Sequence, residues 1–108
     1  MFEIFSNPRT KKFHFRLKAK NGQIVLASQA YQTKQKCKAG IKSVARNAAR
    51  GDRFHLHAAK NGKVYFTLNA ANGEVIGTSQ MYASPAGRKK GMESVQRNAH
   101  EAETVDLT

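Results

Sequence analysis

The chain has 108 residues, with 19 Lys or Arg against 7 Asp or Glu and a formal charge of +12. That length fits one domain with a modest core, the charge points to nucleic acid or another polyanion as partner, and the single cysteine, Cys37, excludes an internal disulfide framework. No apolar run approaches the roughly 18 residues of a membrane span, and the start MFEIFSNPRTKKF lacks a signal-peptide core, so a cytosolic protein that meets no membrane is expected.

FEIF (2–5) reads as a short strand that turns at Asn7–Pro8. Phe13, Phe15, Leu17 and Ala19 then alternate with His14, Arg16, Lys18 and Lys20, the period-two pattern of a half-buried strand. Asn21–Gly22 suits a tight hairpin and leads to a strand over Gln23–Ser28. Thr33 is placed to cap a helix on which Cys37, Ile41, Val44 and Ala48 form one apolar stripe. Gly40 lies beside that stripe at a cost of about 1 kcal/mol relative to alanine, which points to a close approach of helix to sheet. Gly51 reads as the residue that ends the helix.

The series then repeats. A strand over 53–59 turns at Asn61–Gly62 into one over 63–70, Asn72–Gly73 turns into Glu74–Ser79, and Ser84 with Pro85 opens a second helix carrying Gly91, Met92, Val95 and Ala99. Residues 15–48 and 66–99 align without a gap at a shift of 51, and 15 of these 34 positions are identical. The chain is therefore one domain of two repeats, about 1–51 and 52–102, each three strands followed by a helix. In the tail ETVDLT, Val105 and Leu107 stand 51 residues beyond Phe54 and Leu56, so residues 103–108 read as a closing strand, a third copy of the opening one. Arg88 replaces Cys37 in the second copy, which places position 37 at the rim of the core and argues against a nucleophilic cysteine.

Tyr31, Lys34, Gly40, Ile41, Ser43 and Val44, followed by Arg46-Asn47-Ala48, together with the strand-Asn-Gly-strand run before them and their tandem arrangement, resemble the YegP-like family of small bacterial and archaeal proteins of unknown function. The second copy departs at Pro85 and Met92, in the places of Lys34 and Ile41. The resemblance covers nearly the whole chain. It implies an α+β fold: a tandem duplication of a β3-α-β unit forming one antiparallel sheet, with two helices packed on it and the final strands exchanged between units. It also implies a monomer that is a covalent pseudo-dimer, and it carries over no activity, cofactor or catalytic residue.

Catalysis finds no support in the residues. The acids Glu3, Asp52, Glu74, Glu93, Glu101, Glu103 and Asp106 are scattered, and there is no nucleophile elbow or phosphate loop, so no enzyme is expected. His55-x-His57 puts two imidazoles on one strand face, a spacing some zinc sites use, but nothing nearby completes a shell. Solvent-facing histidines are the reading, with no metal or cofactor. The repeated Ser28-Gln29-x-Tyr31 and Ser79-Gln80-x-Tyr82, and the pairs Arg46-Asn47 and Arg97-Asn98, fit structural hydrogen bonding.

The charge is unequally shared. Residues 1–54 carry 13 bases and 2 acids, net +11; residues 55–108 carry 6 and 5, net +1. Both halves build the same kind of core, so folding does not require the difference. Lys34, Lys38, Lys42, Arg46 and Arg50 recur every four residues along the first helix, where like charges oppose helix formation. Their counterparts are Pro85, Lys89, Glu93, Arg97 and Glu101. Arg16, Lys18 and Lys20 add a second basic run on the outward face of the strand, pointing away from the helices. The helix residues, then the strand residues, are the candidates for sequence-independent contact with a phosphate backbone. The alternative is an assembly module that pairs with an acidic protein or through its sheet edges.

Overall fold

A computed structural model describes residues 1–100 and 102–108; Glu101 lies outside the described residues. The elements run β1 (Phe2–Ser6), β2 (Phe13–Lys18), β3 (Ile24–Ala27), α1 (Lys34–Asn47), a 3-10 turn (Gly51–Arg53), β4 (Phe54–Ala58), β5 (Val64–Asn69), β6 (Val75–Thr78), α2 (Pro85–Ala99) and β7 (Thr104–Asp106). All seven strands form one sheet in the order β4-β5-β6-β3-β2-β1-β7. The two repeats meet at β3 and β6, which pair antiparallel at Ala27 and Thr78. The exchange of final strands is realised at β4, which follows α1 of the first copy and pairs antiparallel with β5 of the second.

The sheet is mixed rather than wholly antiparallel. β7 pairs parallel with β1, Ile4 opposite Asp106 and Glu3 opposite Val105. The direction follows from the duplication: β7 returns from α2 against the direction of β2, but β1 already occupies that edge and also runs antiparallel to β2. The closing strand therefore lies outside β1, in the same direction as β1.

The tail is also not a third copy of the opening strand. Phe2 pairs with Leu17 and Phe54 with Leu68, so β1 and β4 correspond at a shift of 52 although β2 and β5 correspond at 51. The extra residue lies in the 7–12 connection, where Lys11 takes a left-handed φ of 58°. A one-residue slip exchanges the faces of a strand. Phe54 and Leu56 consequently share the helix-bearing face with their partners Leu68 and Phe66, whereas Val105, opposite Glu3, points to the open face.

Both helices pack on one face, each spanning the two repeats: α1 rests on β2 and reaches β5 and β6, and α2 rests on β5 and reaches β2 and β3. Between them lies one core that includes Phe2, Phe15, Leu17, Leu26, Phe66 and Leu68. Thr33 and Ser84 cap the helices, their hydroxyl oxygens accepting the Lys36 and Gly87 N–H groups at 3.1 Å each. Gly40 and Gly91 are needed for space. A Cβ on Gly40 would run into the Tyr31 hydroxyl, with the ring Cζ at 2.9 Å, and one on Gly91 would meet the Tyr82 ring in the same way.

Two details of the first helix differ from the expected ones. α1 ends at Asn47, capped by Ala48, whose N–H reaches the Val44 carbonyl at 2.8 Å. Gly51 instead opens the 3-10 turn, because the chain must turn at once into β4. Cys37 is not at the rim: it is fully buried, and burial pushes its thiol up to about 11, which keeps it protonated and unreactive. Its counterpart Arg88 escapes the core by extending to the His57 carbonyl at 3.1 Å.

Candidate nucleic-acid interface

The eight candidate cations fall on two faces with different surroundings. On the open face, the Arg16 Nε lies 2.7 Å and the Lys18 Nζ 3.3 Å from Glu3 Oε1, and Arg16 also covers the Phe5 ring at 4.7 Å. Glu3 is buried within this group. Hydrogen bonding from Arg16, then Lys18, outweighs its burial and holds the carboxyl below the usual range. The strand cations are thus spent on a structural carboxylate that the sequence, with Glu3 ten or more residues away, does not connect to them. Lys20 lies apart, on the β2–β3 hairpin facing α2.

On the helix-bearing side, Lys34 pairs with Asp106 at 2.9 Å. Asp106 is held well below the carboxylate range by hydrogen bonds from the Thr108 hydroxyl and amide, then by Lys34. The next three positions of the stripe differ: Lys38, Lys42 and Arg46 are exposed and make no ion pair among the described residues. Lys38 and Lys42 flank a shallow groove between α1 and β7, floored by Ile4 and Ile41. Arg50 touches Asp52 at 3.5 Å with both side chains mostly exposed, a pair of little energetic weight.

Sequence reasoning missed Arg53. The 3-10 turn folds it back to the end of α1, where its Nη1 donates to Asn47 Oδ1 at 2.7 Å. The Asn47 amide in turn donates to the Ser43 carbonyl at 2.8 Å and hydroxyl at 3.2 Å. Arg46, Arg50 and Arg53 therefore line one cleft, closed on its far side by the β5–β6 hairpin at Asn72. The only local signal was the closeness of three arginines in the chain; their convergence needs the turn.

The other repeated polar residues are structural. Ser28 and Ser79 accept the Phe15 and Phe66 N–H groups at 2.9 Å and donate to the Gln29 and Gln80 carbonyls at 2.8 Å, completing the sheet where β3 and β6 leave it. His57 stacks on Tyr65 with centroids 4.9 Å apart and bonds Thr67 Oγ1 at 2.9 Å. Among the described residues no group of three His, Cys, Asp or Glu is placed to hold a metal ion, and no helix is long and apolar enough to cross a membrane.

The depressed carboxyls have a consequence for acid stability. A folded-state value below the ordinary one near 4 contributes stability that is present above that pH and is lost as pH falls toward the folded value. Thermal stability should therefore drop as pH is lowered below about 4. The drop between pH 6 and 3, read as melting temperature, should be smaller in Glu3→Gln, which has lost part of the effect at both pH values. An equal drop in the two proteins would show that Glu3 takes no part.

Comparison with known proteins places the chain in a lineage. The family described as Domain of unknown function (DUF1508) matches twice, at residues 9–54 and 59–106. A UPF0339 protein in the ptx operon 5′ region of Stutzerimonas stutzeri is 46% identical, over 98% of this chain and 95% of that one. UPF0339 protein YegP of Escherichia coli K12 is 41% identical over 99% of this chain and 96% of its own length. The solution NMR structure of UPF0339 protein SO3888 from Shewanella oneidensis superposes with a TM-score of 0.93 at 42% identity, covering 99% of this chain and 90% of that one. The NMR structure of E. coli yegP, described as a protein of unknown function, gives 0.92 at 41%, covering 99% and 91%. None of these names states an activity. With both repeats matched and close relatives along nearly its full length, the chain belongs to the DUF1508 family, as a two-repeat member of the UPF0339/YegP group.

Proposed function

We propose that this chain is a non-enzymatic protein that binds nucleic acid without sequence preference, through the phosphate backbone and along the exposed side of α1. The observation that carries this reading is the set Lys38, Lys42 and Arg46, exposed and without an ion pair among the described residues, at successive four-residue steps and continuing into Arg50 and Arg53. Each step advances about 6 Å along the helix, so the stripe can follow a strand of phosphates and release its counterions. Arg16 and Lys18, held by Glu3, and Lys34, held by Asp106, rank behind it. Exposed stacking rings are absent from the α1 stripe, which favours backbone contact over base reading. The test is fluorescence-anisotropy titration with short single-stranded RNA, single-stranded DNA and duplex DNA at two salt concentrations. No binding at low salt would overturn it.

A second reading rests on the β4 edge. Leu56 is 57% exposed while Ile4, at the matching position of β1, is fully buried beside β7. The edge sequence FHLHA has no proline or lysine to discourage pairing. An extended segment of a protein partner would cover Leu56 there as β7 covers Ile4. Such a partner should bind the native chain and lose at least about tenfold in affinity to Leu56→Lys; if the variant binds equally, β4 is not the docking edge.

A further inference from the structure

The Arg-Asn pair repeated in the two copies ends up in equivalent places. In each, the last turns of one repeat's helix face the Asn-Gly hairpin of the other repeat across a cleft: Ser43, Arg46 and Asn47 face Asn72, and Ser94, Arg97 and Asn98 face Asn21. In both helices the asparagine amide is fixed on the carbonyl and hydroxyl of the serine four residues earlier. The clefts then diverge. The second, of about 870 Å³, is lined by Glu93 as well as Lys20 and Arg97. The first, of about 430 Å³, is lined by three arginines and, among the described residues, no acid.

Gathering three guanidinium groups opposes folding unless something neutralises them, and among the described residues only the loose contact of Arg50 with Asp52 does so. One of the three, Arg53, is already held in place through Asn47 and Ser43. Asn72 Oδ1 is engaged by the Glu74 N–H at 3.0 Å, which leaves its amide N–H groups as donors. The cleft volume lies at the lower end of the range for small ligands. We propose that the cleft of Arg46, Arg50 and Arg53 against the β5–β6 hairpin is a binding site for a phosphomonoester. Such a group carries nearly two negative charges at neutral pH and three acceptor oxygens, a match for several guanidinium forks. A backbone phosphodiester has one charge and two free oxygens and suits the open stripe of α1 better. The site does not depend on the polymer-binding reading: it could take the phosphorylated end of a nucleic acid or a free nucleotide, which share this chemistry.

The test uses the ¹⁵N-labelled full chain and follows amide shifts during titration with inorganic phosphate, then AMP against adenosine, then 5′-phosphorylated against 5′-hydroxyl oligothymidylate. Saturable shifts confined to residues 46–53 and 70–73 are expected, with AMP binding and adenosine not. Arg46→Gln and Arg50→Gln, both exposed and therefore safe for the fold, should each weaken phosphate about tenfold; Arg53→Gln should do the same where its spectrum remains native. Lys38→Glu/Lys42→Glu should weaken the oligonucleotide but change inorganic phosphate by less than about threefold, so the two readings fail separately. Preference for the 5′-phosphorylated oligomer identifies a nucleic-acid end as the source, and binding of AMP without that preference identifies a free nucleotide. Shifts spread over all basic residues without saturation, saturation elsewhere, or indifference to both glutamine variants would overturn the site.

Discussion

Reversing three charges on the first helix, in a Lys38→Glu/Lys42→Glu/Arg46→Glu variant, is expected to reduce nucleic-acid affinity by at least about a hundredfold at roughly 50 mM salt. It should also flatten the dependence of log K on log salt by about 2 for a single strand, since three fewer phosphates lose their counterions. The fold should survive. All three side chains are exposed, none makes an ion pair among the described residues, and the change leaves like charges only at the 38/42 and 42/46 steps while making the 34/38 and 46/50 steps attractive. The counterpart helix already carries Glu93 in the place of Lys42. Arg16→Gln/Lys18→Gln is the informative control, because these cations face away from α1 and are held by Glu3. If that control lost as much affinity as the helix variant, net charge rather than the α1 stripe would be responsible. Native binding that is indifferent to salt would remove the backbone mechanism altogether.

The largest effect on stability is expected where the repeats meet. Leu26 and Gly77 occupy the same position in the two copies, and Leu26 is buried directly over Gly77: a Cβ there would lie 2.5 Å from Leu26 Cδ2 and 2.6 Å from Cγ. Two leucines cannot share that space. Gly77→Leu should therefore cost about 3 kcal/mol or more, through overpacking with no exposed direction for Leu26 to move. For a chain of this size that corresponds to a loss of roughly 10–20 °C in melting temperature. Leu26→Gly should be costly too, by leaving a cavity. The swap Leu26→Gly/Gly77→Leu places the side chain on the other copy and the gap beneath it, and it should be more stable than either single variant. Thermal denaturation of the four proteins decides the matter; a swap no better than the worse single variant would mean that the two sites are not equivalent by the pseudo-two-fold.

Much of this architecture was legible in the chain. The alternation of residues 13–20, the Asn-Gly turns, the caps at Thr33 and Ser84 and the stripe from Cys37 to Ala48 are local patterns, and they appear in the expected places. The structure departs from these patterns where non-local features intervene. Gly51 has the residue type of a helix end, but the helix has already closed at Asn47. Cys37 is fully buried although its counterpart is an arginine, because an arginine can leave a core that a cysteine fills. The 51-residue spacing relates the tail to β4, but the extra residue near Lys11 shifts β1 by one, and Val105, paired to Glu3, takes the opposite face.

The duplication, the α+β class, the two helices and the excess of charge in the first copy are legible along the chain, because each depends on residue types at short, regular spacing. Which of those charges are paired emerges in the folded chain alone. Glu3 reaches Arg16 and Lys18 across paired strands, Asp106 reaches Lys34 from the other end of the chain, and Arg53 is folded back onto Asn47. Whether a cation is spent or available depends on what lies within a few ångströms of it, and that distance is set by the packing of sheet and helix rather than by position along the chain.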